Sequence, residues 1–120
     1  MSPKTKKSPP EIEPLFGRMD DATASAAIRG PCGDEMEFYL KIRGGRIHDI
    51  RCHTNGCGHT RMCGLAVARW VKGRNLMNAL SISPRQIIDA VECLPKEGKH
   101  CAILAVSTLY RAIADYLLEH

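Results

Sequence analysis

Cys32 and Asp34 stand one glycine apart in Gly30-Pro31-Cys32-Gly33-Asp34-Glu35-Met36. In an extended chain, residues i and i+2 point to the same side about 6.6 Å apart, so this thiol and carboxylate can face one site. Two further segments offer soft ligands: Cys57, enclosed by Gly56 and Gly58, and the pair His100-Cys101. Cys32 falls just before a strand pattern, whereas Cys57 and Cys101 fall where helix patterns begin. At a helix start, unpaired backbone N–H groups and the helix dipole favour thiolate over thiol, and thiolate is the form that binds iron or zinc. Glycines beside such cysteines let backbone approach an inorganic centre closely, although each is equally at home in a simple turn. A carboxylate is a harder, weaker partner for iron than a thiolate. A site of three cysteines and one aspartate should therefore hold metal less tightly than four thiolates, which suits exchange better than storage.

The elements that must position these residues are legible in the patterning. Residues 1–14, with four prolines, several charges and no periodicity, are expected to form a disordered, basic, Pro-rich tail, leaving 15–120 as the folded domain. The Ala-rich stretch 15–29 reads as a weak helix. Met36, Phe38, Leu40 and Ile42 alternate with polar or charged neighbours in the manner of a half-buried strand. Gly44-Gly45 is the turn of a tight hairpin, and Arg46 to Thr54 is the partner strand. There Ile50, Cys52 and Thr54 share one face, while Ile47 is out of phase and hints at a bulge.

Helical spacing resumes from Cys57 to Lys72 and closes at Gly73. A short helical piece covers Leu76 to Ser81. Ser83-Pro84 then opens a helix through Cys93, with Ser as cap and Pro at the first helical position, and Leu94-Pro95 stops it. From Lys99 to Leu118 one long helix is expected to pack on the sheet through a stripe of Ile103, Val106, Tyr110, Ile113 and Leu117. Strands first and helices after imply an α+β fold, an antiparallel sheet covered on one face by helices.

Composition narrows the function further. The 120 residues with 44% hydrophobic content suffice for one core. No apolar run is expected to cross a bilayer and no export signal is visible, so the reading is cytoplasmic, with no membrane partner. Six cysteines in a reducing compartment favour metal or thiol chemistry over a disulfide framework. The net charge of +4 raises the question of nucleic acid. The basic residues outside Lys4-Thr5-Lys6-Lys7 are scattered, however, and one Trp, three Tyr and two Phe give little stacking surface, so no nucleic-acid partner is expected.

Gly30-Pro31-Cys32-Gly33-Asp34, Asn55-Gly56-Cys57-Gly58, Lys72-Gly73, Lys99-His100-Cys101-Ala102-Ile103-Leu104-Ala105 and Ala112-Ile113-Ala114-Asp115-Tyr116 occur in that order. Together they resemble the IscU/NifU-type iron-sulfur cluster assembly scaffold proteins, over roughly residues 30 to 116. The resemblance implies a small three-stranded antiparallel sheet with a helical layer. It also implies a site at one end where a 2Fe-2S cluster is built and passed on. By position, Cys32, Cys57 and Cys101 are the implied cysteine ligands of iron, with Asp34 or His100 in the remaining place. Cys101 is the implied acceptor of sulfur from a cysteine desulfurase, and apo iron-sulfur proteins are the implied recipients. Zinc fits the same ligands. A scaffold rather than an enzyme is expected, as a monomer or weak homo-oligomer.

The chain departs from the family pattern in three places. Residues 11 to 29 lack the aromatic-containing segment that normally precedes an Asn-Pro or Pro-Arg-Asn stretch, which weakens the expected docking to the usual desulfurase. The Leu-Pro-Pro-Val-Lys loop read by a dedicated chaperone is here Leu94-Pro95-Lys96-Glu97-Gly98, which speaks against that chaperone. His59-Thr60-Arg61-Met62-Cys63 places bulkier polar residues and an extra thiol after Cys57.

Two readings from other classes compete. One is a sulfur-transfer or hydrolytic enzyme with Cys101 as nucleophile and a histidine base, although adjacent His100 and Cys101 diverge by about 100° on a helix. The other is a structural or regulatory zinc module. Cys52 and Cys63 read as packing residues, Cys93 as an inert thiol at a helix end, and His48, His53 and His59 as surface residues.

Overall fold

The computed structural model describes residues 15–31, 33–56, 58–91 and 94–119. The expected tail at 1–14, Cys32, Cys57, Cys93 and His120 lie outside the described residues.

Three strands, β1 (Ala24–Arg29), β2 (Glu35–Arg43) and β3 (Arg46–Thr54), form an antiparallel sheet in the order β1-β2-β3. Met36, Phe38, Leu40 and Ile42 of β2 all turn inward, as their alternation predicts. Gly44 and Gly45 have φ of +59° and +74°, the pair of positive values that a primed two-residue hairpin turn requires. The register runs Leu40 to Ile50 and Lys41 to Asp49, then jumps to Ile42 opposite Ile47. This is the bulge that the phase of Ile47 implies. It rotates Ile47 into the core, where it is fully buried.

Residues 24–29 are not helical but form the edge strand β1. Ala24, Ala26 and Ile28 face the helices while Ser25, Ala27 and Arg29 are exposed. Pairing with β2 from Ala24–Leu40 to Arg29–Glu35 satisfies this backbone and overrides the helix propensity of alanine. Ahead of it, Gly17 N–H donates to the carbonyl of Cys52 and Arg18 grips both carboxylate oxygens of Glu37 at 3.0 and 3.2 Å. That pairing holds the Glu37 carboxyl below its ordinary value.

One face of the sheet is covered by α1 (Gly58–Val71) and α4 (Lys99–Glu119); α3 (Pro84–Ala90) packs against these two helices, and α2 (Leu76–Ala79) is a short connector. Helix α1 packs tightly on β2 and β3 at Gly64. A Cβ there would lie 3.0 Å from the Met36 sulfur and 3.3 Å from Cys52 Sγ. Its end is pinned to β3, because Gly73 N–H donates to Ile47 O and Ile47 N–H to Arg74 O. Ser83 caps α3 in a reciprocal capping box with Gln86, with Pro84 at the first position as expected. The helix stops at Ala90, short of the predicted Cys93.

The apolar stripe of α4 matches its prediction at Val106, Tyr110 and Ile113 and differs at Ile103 and Leu117. Its buried face is Cys101, Ala102, Leu104, Ala105, Val106, Thr108, Leu109, Ala112 and Ile113, while Ile103 and Leu117 are about half exposed. Val106 and Ile113 of the expected stripe are buried, and Cys101, Ala102, Ala105 and Ala112 let α4 lie close to β1 and β2 beside Leu104 and Leu109. The helix is also long and apolar enough, by length and composition, to cross a bilayer, contrary to the expectation that no segment is. Here that apolarity serves the core.

Candidate functional site

The loop before β2 is built by its glycines. Gly33 sits at φ +93°, Gly33 N–H donates to Gly30 O, and Gly30 N–H donates to Asp34 O at 2.8 Å. Gly30 also lies against α4, where a Cβ would come within 3.3 Å of Leu104 Cδ2. The turn after β3 is tied to the same place. Asn55 Oδ1 accepts from Glu35 N–H at 2.9 Å, while the Thr54 hydroxyl donates to Glu35 O and accepts from Gly56 N–H. The segments flanking Cys32 and Cys57 are thereby fastened to one another and to the start of α4.

Asp34 and Cys101 meet at this junction through Thr60, in the first turn of α1. The Thr60 hydroxyl donates to Asp34 Oδ2 at 2.7 Å, and its oxygen lies 3.3 Å from Cys101 Sγ. A threonine hydroxyl carries one proton. With that proton given to Asp34, the thiol is the donor in the Cys101 contact. The resulting chain runs S–H to O–H to carboxylate. The Asp34 carboxylate is pressed against Gly56 so closely that a Cβ on that glycine would stand 2.5 Å from Oδ2 and 2.9 Å from Thr60 Cβ. Gly56 is thus required for close approach, not only for the turn.

Among the residues predicted for the site, the structure brings Asp34 and Cys101 together and leaves His100 exposed on the first turn of α4. Cys32 and Cys57 lie outside the described residues, and among the described residues no three His, Cys, Asp or Glu side chains cluster as a metal centre. Sequence reasoning passed over Thr54, Asn55 and Thr60 as participants. Thr60 was detectable as a hydroxyl on the buried face of α1, in phase with Cys63, Gly64, Val67 and Val71.

The other thiols behave as packing groups. Cys52 and Cys63 are fully buried, and burial pushes both up to about 12 from an ordinary value near 9, with Cys101 a smaller contributor at Cys63. His48 is exposed and His59 half-buried. His53 is more enclosed than expected: it stands opposite Glu37, its ring centroid 5.4 Å from that of Phe16. Arg61 in turn stacks 3.9 Å above Phe16.

Residues 15–120 match the model of the NifU-like N terminal domain family. The chain is 36% identical over 105 residues to the iron-sulfur cluster assembly scaffold protein IscU 1 of Archaeoglobus fulgidus, covering 87% of this chain and 69% of that protein. It is 38% identical over 103 residues to the iron-sulfur cluster assembly scaffold protein IscU of Escherichia coli K12, covering 84% and 80%. The N-terminal part of a nitrogen-fixing NifU-like protein from Brucella abortus has the same fold, with a TM-score of 0.65 at 18% identity, covering 88% of this chain and 87% of that one. Fold, motif order and these matches agree: the chain belongs to the NifU-like N-terminal domain family.

Proposed function

We propose that this chain is a scaffold, not an enzyme, on which an iron-sulfur cluster of the 2Fe-2S type is assembled and from which it passes to apo-proteins. The observation that carries this reading is the hydrogen-bonded chain Asp34–Thr60–Cys101, which unites a carboxylate and a thiol from distant segments. Cys32 and Cys57, adjoining the two loops fastened at this junction, complete the proposed ligand set for iron. Asp34 is favoured over the exposed His100 for the remaining place. Cys101 is the proposed acceptor of sulfur, as a persulfide delivered by a cysteine desulfurase. Asp34 is the ligand an incoming thiol displaces first, because iron holds a carboxylate less firmly than a thiolate.

Anaerobic reconstitution with ferrous iron and sulfide tests the reading. The expected product is a coloured protein that gives its cluster to an apo-ferredoxin. A colourless protein holding only tightly bound zinc would instead support a zinc module. Thioester turnover by the apo-protein would support the nucleophilic enzyme.

A further inference from the structure

Among the described residues, Thr60 and Thr108 are completely buried in helices, and they use their hydroxyls differently. Thr108 donates to Leu104 O of its own helix at 2.7 Å, the local back-bond by which a helical threonine satisfies itself. Thr60 is equally buried, yet its hydroxyl reaches residues 26 and 41 positions away in the chain. A buried hydroxyl lacking a partner is costly, so this arrangement holds only while Asp34 and Cys101 stay where they are. The converse also applies: the hydroxyl fixes where they stay. Asp34 is bounded on one side by Gly56 and on another by Thr60, with Oδ2 occupied by the Thr60 proton. Among the described residues Oδ1 makes no hydrogen bond, so it is the less engaged of the two oxygens.

We propose that Thr60 is a positioning residue of the cargo site. It clamps the Asp34 carboxylate beside the Cys101 sulfur, so that Asp34 presents a single oxygen to the iron those two residues share. The inference rests on the scaffold reading for the nature of the cargo and adds the residue that sets the geometry of its carboxylate ligand. Groups that orient metal ligands in this way typically change metal affinity about 10- to 100-fold when removed.

Cobalt(II) is a suitable probe, because its visible ligand-field bands report coordination geometry and its sulfur-to-metal absorption reports thiolates, without any cluster transfer. Thr60→Val keeps the shape and removes the hydroxyl. It is expected to weaken cobalt binding about tenfold and to shift the ligand-field bands as Asp34→Ala does, while thiolate absorption remains. Thr60→Ser should restore the wild-type spectrum. Adding Thr60→Val to Asp34→Ala should have no further effect. Thr60→Ala serves the same purpose if the valine clashes, and thermal melting of each apo-protein separates folding from coordination. A wild-type protein that binds no cobalt removes both the site and this inference. A wild-type centre unchanged in affinity and spectrum by Thr60→Val or Thr60→Ala overturns the role of Thr60 alone.

Discussion

Cys52 and Cys63 differ from Cys101 in company rather than in depth. All three are buried, the first two completely and Cys101 at 4% exposure. Cys52 lies on the apolar face of β3, close to Gly64 where α1 meets the sheet, and burial pushes both it and Cys63 up to about 12. Cys101 meets a hydroxyl that is itself bound to a carboxylate, beneath two loops fastened together by Thr54 and Asn55. Burial by itself therefore makes a packing thiol here. A polar junction of three chain segments makes one that can take part in chemistry.

The largest separation between the two environments should come from deleting each thiol. Cys101→Ala is expected to reduce reconstituted cluster absorbance at least about tenfold. Cys52→Ala should leave absorbance intact and instead lower stability by about 1 kcal/mol or more through the cavity it opens. Visible spectra paired with urea unfolding would separate the two effects. Gly56→Ala follows in size. Its methyl group would meet Asp34 Oδ2 at 2.5 Å, so the carboxylate must move, and cobalt affinity should fall severalfold even where the fold survives. An unchanged affinity would show that Asp34 is not needed where it stands.

A further contrast is one of pH. With folded values near 12 and ordinary values near 9, Cys52 and Cys63 stay protonated in the native state while the unfolded chain ionises. Their contribution is therefore full below pH 9 and is lost as the pH climbs toward 12, by at most about 1.4 kcal/mol per pH unit for each thiol. Urea unfolding between pH 8 and 10.5 should show this slope, and it should flatten when both are replaced by alanine.

The hairpin, its bulge, the capped helix at Ser83-Pro84 and the long final helix were readable because each rests on local chemistry: alternation, glycine φ and capping. β1 was not, because its alternation is written in alanines and only pairing with β2 distinguishes it from a weak helix. The stripe of α4 was legible at Val106, Tyr110 and Ile113 but not at its edges, since a helix that lies close to a sheet also buries Ala and Cys and leaves Ile103 and Leu117 half exposed. At the candidate site, the proposed soft donors stood out by type and by their glycines. Thr54, Asn55 and Thr60 did not, because a hydroxyl or amide acquires its role from partners that only the tertiary fold supplies.

Asp34 and Cys101 are proposed to hold the same iron. X-ray absorption at the iron edge of the reconstituted protein, compared with that of Asp34→Ala, tests this most directly. Mixed sulfur and oxygen coordination is expected in the wild type, with loss of the short oxygen shell in Asp34→Ala together with slower transfer to an apo-ferredoxin. An identical coordination shell in the two proteins, with unchanged transfer, would contradict the proposal.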